Sequence, residues 1–519
     1  MTEGADRGSG LPAQMPGPDR PPRPGPGPLP KLALLPVLAI AGALTAVLVA
    51  YAGRYGYHRD ELYFVQCGKH LAWGYPDQPP FVPLVARLMS DLAAGSLVVL
   101  RLPSALAAGA VVLLTGLLTR ELGGGRAAQV LACAVIALAP VLAGAGHLLS
   151  TTSFNLPVSA LLCWLLLRIL RTGDQRLWLA AGLVAGAGLL DTDLVAFLIL
   201  AVCAGLAAAG PRLSLRSGWF YAGGAISLAM WSRYLAWQAG HGWPELAVAH
   251  SIAAGRSGTS APWWLILPEQ LVLVPVYSAP VWITGLVRLL RDRELRWCRA
   301  VGVAYPVLAV LFTATGGKPY YLAVMFPVLL AAGAQPTVDW IARAHTRARQ
   351  GLLAAGLVLS AAALPITLPI VPVSVVHDTP IVKLNYDAGE TIGWPAFVRE
   401  IAQAYRSLPA AQRSSAIVLT SNYGEAGAVE RFGPADGLPP AYSGHDSFWY
   451  WGPPPGTATT AVAVGFEKSR LGFCGSLRQV ASLNNHVGVD DDEQGEPVWI
   501  CAQPSGSWPA IWPSLRYLG

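Results

Sequence analysis

"LALLPVLAIAGALTAVLVAYAGRYGYHRDELYF", residues 32–64, joins a 21-residue run without one charged side chain to a cluster of four ionisable groups. At 1.5 Å per residue a helical run of that length spans the hydrocarbon core of a bilayer, about 30 Å. It is too long for a signal-peptide core and is followed by no small-residue cleavage site, so it reads as a first transmembrane helix that is retained. The charged cluster that follows, His58-Arg59-Asp60-Glu61, is costly beside lipid unless its members find partners or perform chemistry.

Working outward, the same pattern repeats. Runs of spanning length recur at 32–52, 96–119, 127–146, 154–170, 177–190, 192–209, 219–237, 269–290, 300–315, 319–337 and 351–371, about eleven helices. Between the fifth and sixth only Asp191, Thr192 and Asp193 intervene, and one helix would be too long, so a tight hairpin is expected. With 53% hydrophobic and 13% charged residues, and a mean hydropathy of +0.45, the chain is far too apolar for an ordinary soluble protein. The net charge of +6 is dispersed in short arginine clusters with no basic face, which excludes nucleic acid as a partner class.

Arginines orient the helices, because short Lys/Arg-rich loops stay cytoplasmic. With the N-terminus inside, every second loop is basic: Arg120 and Arg126; Arg168, Arg171 and Arg176; Arg212 and Arg216; Arg288 to Arg299; and Arg343 to Arg349. The outer face then holds 53–95, 147–153, 191–193, 238–268, 316–319 and everything after 372. Residues 1–30, rich in Pro and Gly, read as a disordered cytoplasmic tail. Residues 31–371 form the transmembrane domain, with 53–95 as its first outer loop.

After residue 372 the apolar runs shorten to strand length, "SAIVLTS" at 415–421, "TAVAVGF" at 460–466 and "PVWICAQ" at 497–503, around a helix-like stretch at 394–408. Residues 372–519 therefore read as a small extracytoplasmic α/β domain, where Cys474 and Cys501 are free to pair or to stay apart. Its acidic run Asp490-Asp491-Asp492-Glu493 lacks the spaced ligands of a calcium loop and reads as a solvated turn. Its tryptophans, 449, 451, 499, 508 and 512, suit a small core or glycan stacking.

In the first outer loop, residues 60–72 suggest an amphipathic helix at the membrane interface, and "PDQPP" starts a second helix, returning Asp77 to the same surface. Two readings of Asp60 and Glu61 stay open on local sequence. They cap the helix and pair with Arg59 or Lys69, or they do chemistry, one as a general base for a hydroxyl or both, with Asp77, as ligands of a divalent cation.

Asp60-Glu61 followed by Tyr75-Pro76-Asp77-Gln78-Pro79-Pro80 resembles the first outer loop of the GT-C membrane glycosyltransferases, in particular the bacterial family 39-like group of protein O-mannosyltransferases and aminoarabinose transferases. Those proteins carry an acidic pair and then Asp-x-His-Pro-Pro; here Gln78 stands in place of the His. "LAWQAGHGWPEL" at 235–246, "GGKPYYLAVMFPVLLAAGA" at 316–334 and "AYSGHDSFWYWGPPP" at 441–455 resemble later parts of bacterial members.

The resemblance implies a GT-C fold, a polyprenyl-phosphate sugar as donor and an extracytoplasmic acceptor, whether protein, lipid or glycan. It makes Asp60 the base, with Glu61 beside it, and transfer with inversion. Lys318, lone between Gly317 and Pro319, suits the donor phosphate with Tyr320 and Tyr321, against the reading of a snorkelling Lys with interfacial tyrosines. Asp77, Gln78, His58 and His241 are further substrate-binding candidates, Trp243 an alternative belt residue, and Thr192-Asp193 occupies a turn where related sequences carry Lys. His147 and Asn155 face the same cavity, or Ser150 and Thr151 there simply cap a helix. The rival reading, a transporter or flippase of a lipid-linked sugar, expects ionisable residues at helix midpoints and broken helices in paired repeats, which the sequence lacks.

Overall fold

The computed structural model describes residues 28–519, so the expected tail at 1–30 lies almost wholly outside the described residues. Each of the eleven apolar runs is helical in whole or part. Among the described residues six helices are long and apolar enough to cross a membrane: Leu34–Tyr51 (α1), Leu97–Glu121, Thr151–Thr172, Arg296–Thr315, Pro319–Arg343 and Thr346–Ile366. A seventh span forms if Arg126–Ala137 and Pro140–His147, bent by 60°, are counted together. The bend follows from Pro140, which disfavours helical geometry at Ala139; that residue is extended, at ψ 126°. Of the remaining expected spans, Leu177–Leu189 and Leu194–Ala209 are shorter apolar helices, broken at the expected turn. Gly218–Gly240 is one helix. The run at 269–290 is interrupted before Ala279–Arg291.

Small residues set the helix packing. A Cβ on Gly285 would overlap the carbonyl of Leu329, one on Gly333 that of Val281, and one on Gly182 the backbone of Gly223. Backbones approach this closely where packing rather than hydrophobic transfer joins helices in lipid. Leu34, Leu35 and Leu38 on α1 stay exposed, as a lipid-facing row requires.

The segment 53–95, expected as the first outer loop, supplies α2 (Arg59–Lys69) and α3 (Phe81–Leu92). The expected interfacial helix exists, yet seven of its eleven residues are buried. It does not lie open on a surface, because the C-terminal region covers it. Leu62, Tyr63, Phe64 and Cys67 share one apolar core with Trp394, Phe397, Val418, Val429 and Val464. Gly427, on the helix Tyr423–Phe432, lies so close to Leu62 that a Cβ there would press on the α2 backbone.

The C-terminal region holds a five-stranded sheet of β1 (Ala416–Thr420), β2 (Ala441–Ser443), β3 (Thr460–Val464), β4 (Cys474–Ser482) and β5 (Pro497–Pro504), in the order β2-β1-β3-β5-β4. β1 runs parallel to β2 and β3, and β5 antiparallel to β3 and β4. β1, β3 and β5 are the three strands legible as apolar runs. Cys474 and Cys501 are disulfide-bonded, with Cα atoms 5.4 Å apart. Trp508 and Trp512 are buried in the core beneath the sheet, with Trp449 and Trp499 against it. Asp490 and Asp492 of the acidic run are exposed, as read, but Glu493 is 1% exposed and Asp492 lies 2.8 Å from Arg59.

Candidate active site

The adjacent acids of α2 part company. Glu61 turns inward, where Arg101 meets it with two parallel bonds, Nε to Oε1 at 2.8 Å and Nη2 to Oε2 at 2.7 Å. The backbone N–H groups of His58 and Leu149 donate to the same carboxylate, each at 2.9 Å. Burial works against its charge, but Arg101 and these N–H groups hold the Glu61 carboxyl below its ordinary range. Of the two open readings Glu61 takes the capping one, with Arg101 as its ion partner in place of Arg59 or Lys69.

Asp60 turns the other way, into a cavity of about 1010 Å³. Tyr423 donates to its Oδ1 at 2.7 Å, and its Oδ2 lies 3.8 Å from Nδ1 of His58. His58 Nε2 faces Asp387 at 3.6 Å. Burial lowers the His58 pKa, but the carboxylates of Asp60 and Asp387 outweigh it and raise it to about 9. The bond that Nδ1 accepts from the Asp60 N–H, at 3.2 Å, competes with that charge, since a protonated Nδ1 has no lone pair to offer.

Asp77 joins from the turn before α3. Tyr63 donates to its Oδ1 at 2.6 Å while exchanging a second bond of 2.6 Å with Ser447. Burial raises Asp77, the Tyr63 bond lowers it, and the net value is about 7. Gln78 is 2% exposed and lines the cavity; neither amide atom has a hydrogen-bond partner among the described residues. A buried amide in that state is one a ligand can satisfy.

The same cavity also carries cations. Gly316, at φ +69°, ends the helix Arg299–Thr315, a left-handed cap that glycine adopts without steric cost. The chain then turns to present Lys318, whose ammonium sits 5.9 Å from the Tyr320 ring. Lys318, Tyr320, Tyr321, Arg256 and Arg470 all line the cavity. Val141, Val248, Ile252, Leu271, Val272 and Ile366 add apolar groups to the lining.

Seven of the nine site residues expected from sequence therefore line one cavity: His58, Asp60, Asp77, Gln78, Lys318, Tyr320 and Tyr321. Glu61 and His241 do not line it. His241 is exposed, with its ring stacked 4.0 Å from that of Trp237. His147 lines the cavity; Asn155 instead accepts from Ser159 at 3.0 Å, and Ser150 caps the helix Thr151–Thr172. Asp193 is held by Trp231 and Tyr234, outside the cavity lining. Asp60, Glu61 and Asp77 do not gather as cation ligands, and among the described residues no group of three or more His, Cys, Asp or Glu does so.

Sequence reading missed the contribution of the C-terminal region. Tyr386, Asp387, Tyr423, His445, Asp446 and Arg470 all reach the cavity. Asp446 stands at φ +44°, a strained backbone of the kind found at functional sites. The signal available in sequence was the polar pair His445-Asp446 inside an aromatic stretch, and it carries no pattern of its own.

Comparison with known proteins places these features. Residues 77–237 match the family model of dolichyl-phosphate-mannose-protein mannosyltransferases. No curated protein sequence matches the chain. Among solved structures, ArnT from Cupriavidus metallidurans bound to undecaprenyl phosphate superposes with a TM-score of 0.56 at 14% identity, over 89% of this chain and 97% of that one. The apo state of that ArnT gives 0.54 at 14% identity, over 89% and 96%. The resemblance read from the first outer loop is borne out: this chain is similar to GT-C, family 39-like membrane glycosyltransferases, in sequence over residues 77–237 and in fold over most of its length.

Proposed function

We propose that the chain is a membrane glycosyltransferase that moves a sugar from a polyprenyl-phosphate donor to an extracytoplasmic acceptor, with Asp60 as general base. One observation carries the reading: Asp60 and Lys318, 258 positions apart in the sequence, line a single cavity whose wall also holds further carboxylates, two arginines and apolar side chains. Those are the groups a lipid-linked sugar phosphate demands: a carboxylate for the acceptor, cations for the phosphate and apolar surface for the lipid. The family-matched segment begins at Asp77, so Asp60 and Lys318 enter through the cavity rather than through that match. The fold neighbour that binds undecaprenyl phosphate supports the donor class.

In this reading Asp60 takes the proton of an acceptor hydroxyl as its oxygen bonds the anomeric carbon. The anomeric C–O bond to phosphate breaks on the opposite face, and its electron pair leaves with the polyprenyl phosphate. Lys318, with Tyr320 and Tyr321 as donors, stabilises the charge that develops there. Arg256 and Arg470 are the cations available where the 191–193 turn has no Lys. Asp77, Gln78 and His58 bind substrate hydroxyls. Glu61 is a brace for the loop, and His241 has no part.

The topology that goes with this function has eleven helices, a cytoplasmic N-terminus, and the region after 372 outside, as a disulfide there favours. The test feeds membranes containing the full chain with radiolabelled polyprenyl-phosphate sugars and compares wild type with Asp60→Asn. Label in product that depends on Asp60 is the expected result; equal labelling by both would remove the base.

A further inference from the structure

Asp60 lies in the first turn of α2 with a side chain 39% exposed, where a carboxylate samples several rotamers and loses entropy when held in one. The group that holds it comes from 363 residues further along the chain. Tyr423 begins the helix Tyr423–Phe432, whose start is set by a reciprocal cap: Asn422 accepts from the Glu425 N–H and Glu425 accepts from that of Asn422. The Tyr423 ring is gripped between Tyr63, at 4.7 Å between centroids, and His445, at 4.6 Å. The Arg59 guanidinium stands 5.2 Å above it. Arg59 is itself tied to Glu390, Tyr386 and Asp492. Three neighbours thus pack on the phenol ring, and its hydroxyl donates to Oδ1.

We infer that Tyr423 is a positioning residue for Asp60, by which the C-terminal region sets the geometry of the base. Its hydroxyl occupies Oδ1, so that Oδ2, which has His58 Nδ1 3.8 Å away and no hydrogen bond from it, is the oxygen that meets the acceptor. Tyr423 itself moves no proton in the reaction, in keeping with a phenol pushed well above its ordinary pKa by burial and by the charge of Asp60. The proton of the acceptor ends on Oδ2. The inference rests on the proposed transferase reading with Asp60 as base.

The experiment uses the full-length chain in membranes. Radiolabelled undecaprenyl-phosphate mannose is the first donor, then the glucose and arabinose equivalents, and the donor that labels product is used for kinetics. Tyr423→Phe keeps both ring faces and removes only the hydroxyl. The expected result is a kcat lower by about tenfold or more, the worth of a hydrogen bond to a charged group. The donor KM stays within about twofold and the thermal unfolding midpoint is unchanged, as an interaction acting only on the base requires. An unchanged kcat overturns the inference, as does a loss that travels with a raised KM or a lowered midpoint, which is the mark of a structural role. Asp60→Asn runs in parallel. If it transfers at the wild-type rate, the base assignment has failed and this inference with it; if it is inactive while Tyr423→Phe is normal, the positioning role alone has failed.

Discussion

Glu61 and Arg101 meet in a two-bond pair at 0% and 1% exposure, tying the first outer loop to the helix Leu97–Glu121. Arg101 spends its remaining donors on the carbonyls of Ala52 and Gly56 and on Nε2 of His147, so one guanidinium joins the end of α1, the loop and the next span. Removing one partner of such a pair strands a buried charge. Glu61→Ala or Arg101→Ala should each lower stability by about 3–5 kcal/mol, read as the unfolding midpoint of the purified protein in detergent. An unmoved midpoint would remove the brace.

Asp60→Asn should cut transfer by about 10²- to 10⁴-fold, the range of a general base. Because Asp60 is bonded at the cavity wall and not in the core, the same variant should keep the wild-type unfolding midpoint. Product formation and thermal unfolding on one preparation check both halves.

Lys318→Gln should weaken the hold on phosphate by about 1.5–3 kcal/mol, the worth of a bond to a charged group, roughly tenfold to a hundredfold in apparent donor affinity. Competition by undecaprenyl phosphate measures it without turnover. Equal inhibition of wild type and variant would return Lys318 to the role of a snorkelling residue.

Asp77 supplies a pH dependence of stability. Its folded value, about 7 against an ordinary 3.8, means the folded chain holds the proton more tightly than the unfolded one. That contribution is fully present below the ordinary value and is lost as pH rises through about 7. Asp77→Asn should lack it. Unfolding midpoints taken from pH 4 to 8 should show wild type losing its advantage over the variant across that window; a constant difference would mean that Asp77 is not held protonated.

Much of the helical framework was legible. Apolar runs of spanning length are local signals, written residue by residue, and each of the eleven coincides with helix, although the bend at Pro140, the break before Ala279, the short helices Leu177–Leu189 and Leu194–Ala209 and the less apolar Gly218–Gly240 leave six or seven full spans. In the site, Asp60, Asp77 and Lys318 stood out because charge beside an apolar run is conspicuous. Which member of the Asp60-Glu61 pair faces the cavity was not legible, since the answer is Arg101, forty residues away. The two strands β2 and β4 escaped notice because neither is an apolar run.

The amino-acid sequence by itself determined that this chain is built of membrane-length helices with an α/β region after them, because hydrophobic length and alternation are properties of contiguous residues and bilayer thickness supplies the ruler. The tertiary structure alone decided that residues 386–519 return to cover α2. It alone brought Tyr423 to Asp60, Asp492 to Arg59 and Asp387 to His58. Such contacts depend on the register of one packed surface on another, and nothing in the local order of side chains encodes which distant group will stand opposite.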